Sequence, residues 1–94
     1  WLAPFDLGIS HDADLRIVTG LVEPHFMAGV SGGAKSICPG IVGEPVTQVF
    51  HGSAMMTDPA CCSFRLAGNP CFEEAREVAA LAGCDFILKV GSLR

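Results

Sequence analysis

TGLVEPHFMAGVSGGAKSICPGIVG, residues 19–43, is the stretch on which the fold turns. Its first residues close a short apolar run, Arg16-Ile17-Val18-Thr19-Gly20-Leu21-Val22, whose β-branched content reads as a buried strand. Pro24 ends that strand: a proline pushes its predecessor to extended geometry and has no N–H to give to a ladder. Gly29 to Gly43 then carries five glycines (29, 32, 33, 40 and 43) together with Pro39. That composition excludes one long regular helix and predicts a loop whose backbone turns sharply or approaches a ligand closely.

Outward from the loop, Pro45 opens an expected helix to about Met56, with Val46, Val49, Phe50 and Ala54 as its apolar stripe. Asp58-Pro59 stops it. Asn69-Pro70 starts the clearest helix of the chain, with an Asn cap, proline at the first position and Glu73 and Glu74 at the positive end of the dipole. Its expected buried face is Phe72, Ala75, Val78, Ala79 and Ala82, and Gly83 is its C-terminal stop. Asp85 to Val90, centred on Phe86-Ile87-Leu88, reads as a second buried strand. Strand, glycine loop with helix, helix and strand together predict an α/β fold with parallel pairing.

Bulk properties narrow the functional classes. At 94 residues the chain makes one domain at most, and a domain of that size buries only about 60–65% of its unfolded surface. Half the residues are apolar and 17% are charged, which is core-rich globular sequence. No apolar run reaches the ~18 residues of a membrane helix. The net charge of −4, with six Lys and Arg, argues against a nucleic-acid surface. Five cysteines (38, 61, 62, 71 and 84) form no C-x-x-C pair, and reduced, buried thiols of a cytoplasmic protein are the expectation. Trp1 stands where an initiator Met would, and the chain stops at Ser92-Leu93-Arg94 directly after a strand-like run. Both ends therefore read as internal to a longer protein.

Three side chains are candidates for chemistry. His25, in Glu23-Pro24-His25, lies just past the carboxyl end of a predicted strand, where open α/β sheets bind ligands. It suits a general base near neutral pH, and equally a loop histidine bonded to backbone. Lys35, inside the glycine loop, suits a phosphate ligand or a point of covalent attachment. Gly29 to Ser36 (G-V-S-G-G-A-K-S) approximates the phosphate-binding G-x-x-x-x-G-K-[ST], but Ala34 occupies the second glycine's place and six residues separate the loop from its strand. On the expected Pro45–Met56 helix, His51 falls about 60° from Ala54 and about 100° from Phe50, at the border of the buried stripe. A ligand at a cleft wall and a satisfied, half-buried histidine both fit that place. His11, beside Asp12 and Asp14, reads as an exposed turn residue.

Residues 19–43, followed by Phe50-His51-Gly52-Ser53-Ala54 and later by Gly68-Asn69-Pro70, Glu73-Glu74 and Cys84 to Leu88, resemble the central segment of the lactate racemase family. The E-P-H, S-G-G-x-K, P-G and H-x-S elements come in the family's order, and the likeness runs from Asp14 onward. It implies that residues 1–94 are part of the cofactor-binding domain of a larger, two-domain enzyme. That enzyme would be a nickel-dependent isomerase that interconverts 2-hydroxy acid stereoisomers. The cofactor implied is a nickel-pincer nucleotide, a pyridinium mononucleotide that grips Ni(II) through two sulfurs and a ring carbon. Lys35 would join it through a thioamide, His51 would be the protein ligand to nickel, and His25 would be one of two catalytic histidines. The resemblance further implies that α-hydrogen leaves as hydride while a base takes the hydroxyl proton, through a transient 2-keto acid. The second histidine and the basic residues that hold the substrate carboxylate would come from the rest of the chain, since His11 is too near His25 to be the partner. Lys89, the GSLR ending and Phe72 depart from the family's pattern, so lactate itself is not implied over a related acid. A nucleotide-binding module with a degenerate P-loop, or a non-catalytic relative, are the alternatives.

Overall fold

The computed structural model describes residues 12–91. The turn-rich opening with His11 and the 92–94 ending lie outside the described residues. Strand β1 (Ile17–Val22) leads into a short antiparallel hairpin, β2 (Pro24–His25) with β3 (Gly29–Val30), which pairs His25 with Gly29. A 3-10 turn (Gly33–Ser36) follows, then helices α1 (Glu44–Phe50), α2 (Ser53–Met56) and α3 (Pro70–Ala82), and finally strand β4 (Phe86–Gly91). β4 pairs parallel with β1, in a register running from Ile17↔Phe86 to Val22↔Gly91. The expected α/β pattern with parallel strands is therefore the observed one. Among the described residues no helix is long and apolar enough to cross a membrane.

Helix α3 forms as its end signals dictate. Asn69 Oδ1 accepts the Phe72 N–H at 3.2 Å, Pro70 takes the first position and Glu73 the first turn. Gly83 closes the helix in the left-handed conformation (φ 71, ψ 48). The Arg16 guanidinium donates to the carbonyls of Ala82 at 3.0 Å and Gly83 at 3.4 Å, and so ties the end of α3 to the start of β1. Asp85 joins the two strands at the same point: its carboxylate accepts the Arg16 N–H at 2.8 Å, and its own N–H donates to Arg16 O at 3.0 Å.

The buried core does not lie on the sheet. It gathers Met27 and Ala28 of the hairpin, Cys38 and Val42 of the loop, Phe50, Cys61, and Cys71, Ala75 and Val78 of α3. Helix α3 turns Cys71, Ala75, Val78 and Ala79 inward. The expected face is thus corrected at two places, where Phe72 and Ala82 are half-buried and Cys71 takes the inward place. The i, i+4, i+7, i+8 row starts one residue earlier than expected, and Phe72 instead lies under the Arg76 guanidinium, 5.8 Å from its ring centroid.

Two further expectations are corrected. Both strands, read as buried, are largely exposed: Ile17, Leu21, Phe86, Leu88 and Val90 share one face of the sheet and stand open. A parallel sheet needs cover on both faces, and within the described residues only the face of Gly20 receives any. There a Cβ on Gly20 would come 3.1 Å from Gly32 Cα and 3.2 Å from Ser36 Oγ, so the absent side chain is what lets the glycine loop lie on the strand. The single helix expected from Pro45 to Met56 is two, broken at His51-Gly52. Gly52 turns extended (φ −75, ψ 161) to become the N-cap of α2, and a Cβ there would crowd the Gln48 and Val49 carbonyls at 3.2 Å. Of the expected stripe, Phe50 is buried and Val46 packs on the core, whereas Val49 and Ala54 are exposed.

Candidate functional site

His25 ends β2, where the chain turns back on itself within four residues. Its Nδ1 accepts the backbone N–H of Met27 at 3.2 Å and of Ala28 at 3.1 Å. Both are donors, so the neutral ring carries its proton on Nε2. The imidazole stacks on Phe26, with ring centroids 5.0 Å apart and planes 20° apart. Burial, then the nearby charges of Lys35 and His51, push its pKa below the ordinary histidine value. The neutral, Nε2–H form is therefore the resting state of this ring.

Lys35 is held by the 3-10 turn. Its N–H donates to Gly32 O at 3.3 Å and its carbonyl accepts the Gly40 N–H at 3.2 Å, which fixes the backbone on both sides of the side chain. His51 sits where α1 ends. Its backbone N–H still donates to Thr47 O at 3.0 Å, while φ −93 and ψ 7 turn the chain out of the helix. The imidazole is exposed rather than half-buried, because the break that follows swings it off the helix border.

These three side chains, expected from separate segments, line one small cavity of about 60 Å³. Met27, Phe50 and Cys71 are its buried lining, and Phe26 and Pro39 complete the wall. Pockets that swallow a whole small molecule run to about 300–1,000 Å³, so this one admits only the reactive end of a ligand whose bulk lies outside. A larger groove of about 500 Å³ runs between Leu15–Thr19 and Ser36, Ile37 and Ile41, but it is mainly apolar and contains none of the three candidates. Chemistry, not size, identifies the smaller cavity as the candidate site.

Two supporting residues escape a reading by residue type. Asn69, fully buried, caps α3 and also donates from Nδ2 to Met27 O at 2.8 Å and Arg65 O at 3.0 Å. One amide thereby locks the helix start to the turn that holds His25. The sequence marks Asn69 as a cap, but nothing local marks its partner 42 residues away. Cys71, the second residue of α3, puts a buried thiol on the cavity floor; burial and then Cys61 raise its pKa, against a lowering by Lys35. Burial pushes the neighbouring Cys38 up to about 12, helped by Glu74 and Cys71. All five cysteines are free, and thiols so shifted are inert packing groups at neutral pH.

The P-loop alternative finds little support. The β2–β3 hairpin separates β1 from the glycine loop, and Lys35 lies inside a four-residue 3-10 turn rather than at the start of a long helix.

Comparison with known proteins agrees with the geometry. A family model, the lactate racemase N-terminal domain, matches residues 8–62. The chain is 39% identical over 79 residues to the lactate racemase of Thermoanaerobacterium thermosaccharolyticum, a match covering 84% of this chain and 18% of that protein. It is 33% identical over 82 residues to the lactate racemase of Lactiplantibacillus plantarum, covering 87% of this chain and 19% of that one. The solved structure of the lactate racemase apoprotein from T. thermosaccharolyticum superposes with a TM-score of 0.85 at 37% identity, over 88% of this chain and 20% of the other. The chain thus spans about a fifth of the length of the relatives it matches. By fold, by order of residues and by the family model, it belongs to the lactate racemase N-terminal domain family.

Proposed function

We propose that this chain is the cofactor-holding segment of an isomerase that inverts the configuration of a 2-hydroxy acid, lactate or a relative, with a nickel-pincer nucleotide as its cofactor. The observation that carries the reading is the meeting of one amine and two imidazoles, Lys35, His51 and His25, at a single cavity.

The donor set fits that group. Among the described residues no three His, Cys, Asp or Glu side chains stand close enough to hold a metal ion. An ion at this cavity needs donors besides His51, and the chelating group of the proposed cofactor would supply them. His51, exposed and on the cavity rim, offers one imidazole nitrogen, a suitable donor for Ni(II) in a tetragonal set. Lys35, its backbone fixed on both sides, would hold the organic part covalently. When bound, the cofactor would accept and return the substrate's α-hydrogen as hydride.

The protein's own part is proton handling and placement. In its resting form His25 presents Nε2–H, which can donate a hydrogen bond to the substrate's oxygen and draw electron density from a 2-keto carbonyl. For Nε2 to accept the hydroxyl proton instead, the ring must shift its proton to Nδ1 and give up the Met27 and Ala28 N–H bonds. Burial, and after it the neighbouring Lys35 and His51, disfavour a positive charge on this ring, as the lowered pKa reflects. Proton uptake at His25 is thus coupled to release of its turn. A second histidine and cationic groups for the substrate carboxylate would come from the rest of the longer protein, so these 94 residues alone are expected to be inactive.

The test is made on the full-length protein. Intact mass should reveal an organic adduct that Lys35→Ala abolishes, whereas His51→Ala should lose nickel and keep the adduct. An adduct that survives Lys35→Ala would refute the assignment of Lys35. Loss of both metal and adduct in His51→Ala would refute the division of roles.

A further inference from the structure

We propose that Asn69 is a positioning residue for His25: acting through the Met27–Ala28 peptide, it holds the imidazole in its Nε2–H form. The inference rests on the reading of His25 given above. It names a residue on another element that governs where the proton of that ring sits.

Asn69 is completely buried, and every polar atom of its side chain is engaged. Oδ1 accepts the Phe72 N–H at 3.2 Å, and Nδ2 donates to Met27 O at 2.8 Å and to Arg65 O at 3.0 Å. A flipped amide would set Oδ1 against two carbonyls and the amino group against an N–H, so the partners fix this orientation. The bond to Met27 O lands on the peptide unit whose other end is the Ala28 N–H. That N–H donates to His25 Nδ1 at 3.1 Å. Donation to a peptide carbonyl polarises the attached N–H and strengthens the bond it makes in turn. Asn69, the Met27–Ala28 peptide and His25 thus form one relay, in which the cap of α3 tightens a donor that keeps Nδ1 free of a proton of its own.

The second donated bond steadies the other strand of the hairpin. Gly29 is the register partner of His25, and a Cβ on it would run into the Arg65 oxygen that Asn69 holds. Beside it, the Phe64 N–H donates to Gly29 O at 2.9 Å from a backbone with φ +64, a conformation that strains a non-glycine residue. Strain of this kind persists only where the surrounding contacts impose it. Capping α3 requires Oδ1 alone, and serine or aspartate would serve that purpose as well. What asparagine adds is the pair of donated bonds, and both act on the hairpin that carries His25.

The experiment uses the full-length protein with isotope-labelled histidine ring nitrogens, read by NMR, the His25 signals being those that vanish in His25→Gln. In the wild type at neutral pH the ring should report Nε2–H alone; the opposite tautomer would overturn the inference without any variant. Asn69→Ser keeps a capping oxygen but offers no amide donors. There the two ring signals should draw together as the Nδ1–H form enters. The kcat for lactate should fall on the order of tenfold, the worth of about one hydrogen bond, with KM little changed. Gly83→Ala is the control: it strains the left-handed end of the same helix, so it should lower the thermal midpoint and move neither the ring signals nor kcat. Ring signals unmoved in Asn69→Ser, or moved equally in Gly83→Ala, would overturn the inference. Should Asn69→Ser not fold, Asn69→Asp, which caps as well, takes its place with the same outcomes. Full turnover in His25→Gln would instead reject the reading of His25, while the ring signals would still decide for or against Asn69.

Discussion

The corner around His25 and the two-stranded sheet are built from equally apolar sequence, yet they end up in opposite states. In the corner, Met27, Cys38, Phe50 and Cys71 are buried together, and no buried side-chain nitrogen or oxygen among the described residues lacks a hydrogen-bond partner. On the sheet, Phe86, Leu88 and Val90 stand open beside Ile17 and Leu21. The described chain itself supplies what the corner buries: the hairpin turn, the glycine loop, Phe50 of α1, Cys61 and the inward face of α3. A parallel sheet has no such local supply, because its strands are joined through distant crossovers and its faces are covered by whichever elements pack on them. The candidate site is thus braced from within this segment, whereas one face of the sheet receives no cover from the described residues.

Mutations that hollow out the corner should do most to break this contrast. Phe50→Ala removes the largest side chain beneath the cavity and should cost about 3–5 kcal/mol, read as a fall in the chemical denaturation midpoint. A loss below about 1 kcal/mol would mean that the corner is as loosely packed as the sheet. Asn69→Ala comes next. It leaves the Met27 and Arg65 carbonyls without their donor and uncaps α3, for an expected cost of about 2–3 kcal/mol. Amide exchange at Met27 and Ala28 should quicken in the same variant, since their turn loses its tie to the helix.

The pH dependence is a finer probe of the corner. His25 has its folded pKa depressed, so its contribution to stability is complete above the unfolded value near 6.5 and is lost as pH falls through the lower folded value. Stability should therefore decline on acidification below about 6.5, and His25→Gln should flatten that part of the curve. An unchanged slope in the variant would place the titration elsewhere. Smallest of all is the sheet. In the 94-residue chain Leu88→Ser should change stability by less than about 0.5 kcal/mol, as at other exposed positions. In the longer protein the same change should cost about 2 kcal/mol, the transfer of a buried leucine. Equal effects in the two settings would show that nothing further covers this face.

What could be read along the chain followed from how local each signal is. Asn69, Pro70 and Gly83 act on their own neighbours, so α3 was legible almost to the residue. The break at Gly52 was not, because Val46, Phe50 and Ala54 keep a helical period across it and periodicity is blind to a single residue turned extended. The exposure of β1 and β4 is hidden from the sequence for a related reason: an apolar run states what a strand would bury, not whether a partner is at hand. Residue types and order singled out His25, Lys35 and His51. The contact that braces the turn of His25, Asn69 to Met27, links positions 42 residues apart and leaves no local trace.

Sequence by itself determined the α/β class, the ends of α3, the glycine loop and the three candidate side chains, because each rests on backbone preference or side-chain chemistry within a few residues. Only the tertiary structure decided that those side chains share one cavity, which nitrogen of His25 carries the proton, and which apolar faces stay uncovered. Those outcomes depend on close approach between distant segments, and such contacts exist only once the chain has folded.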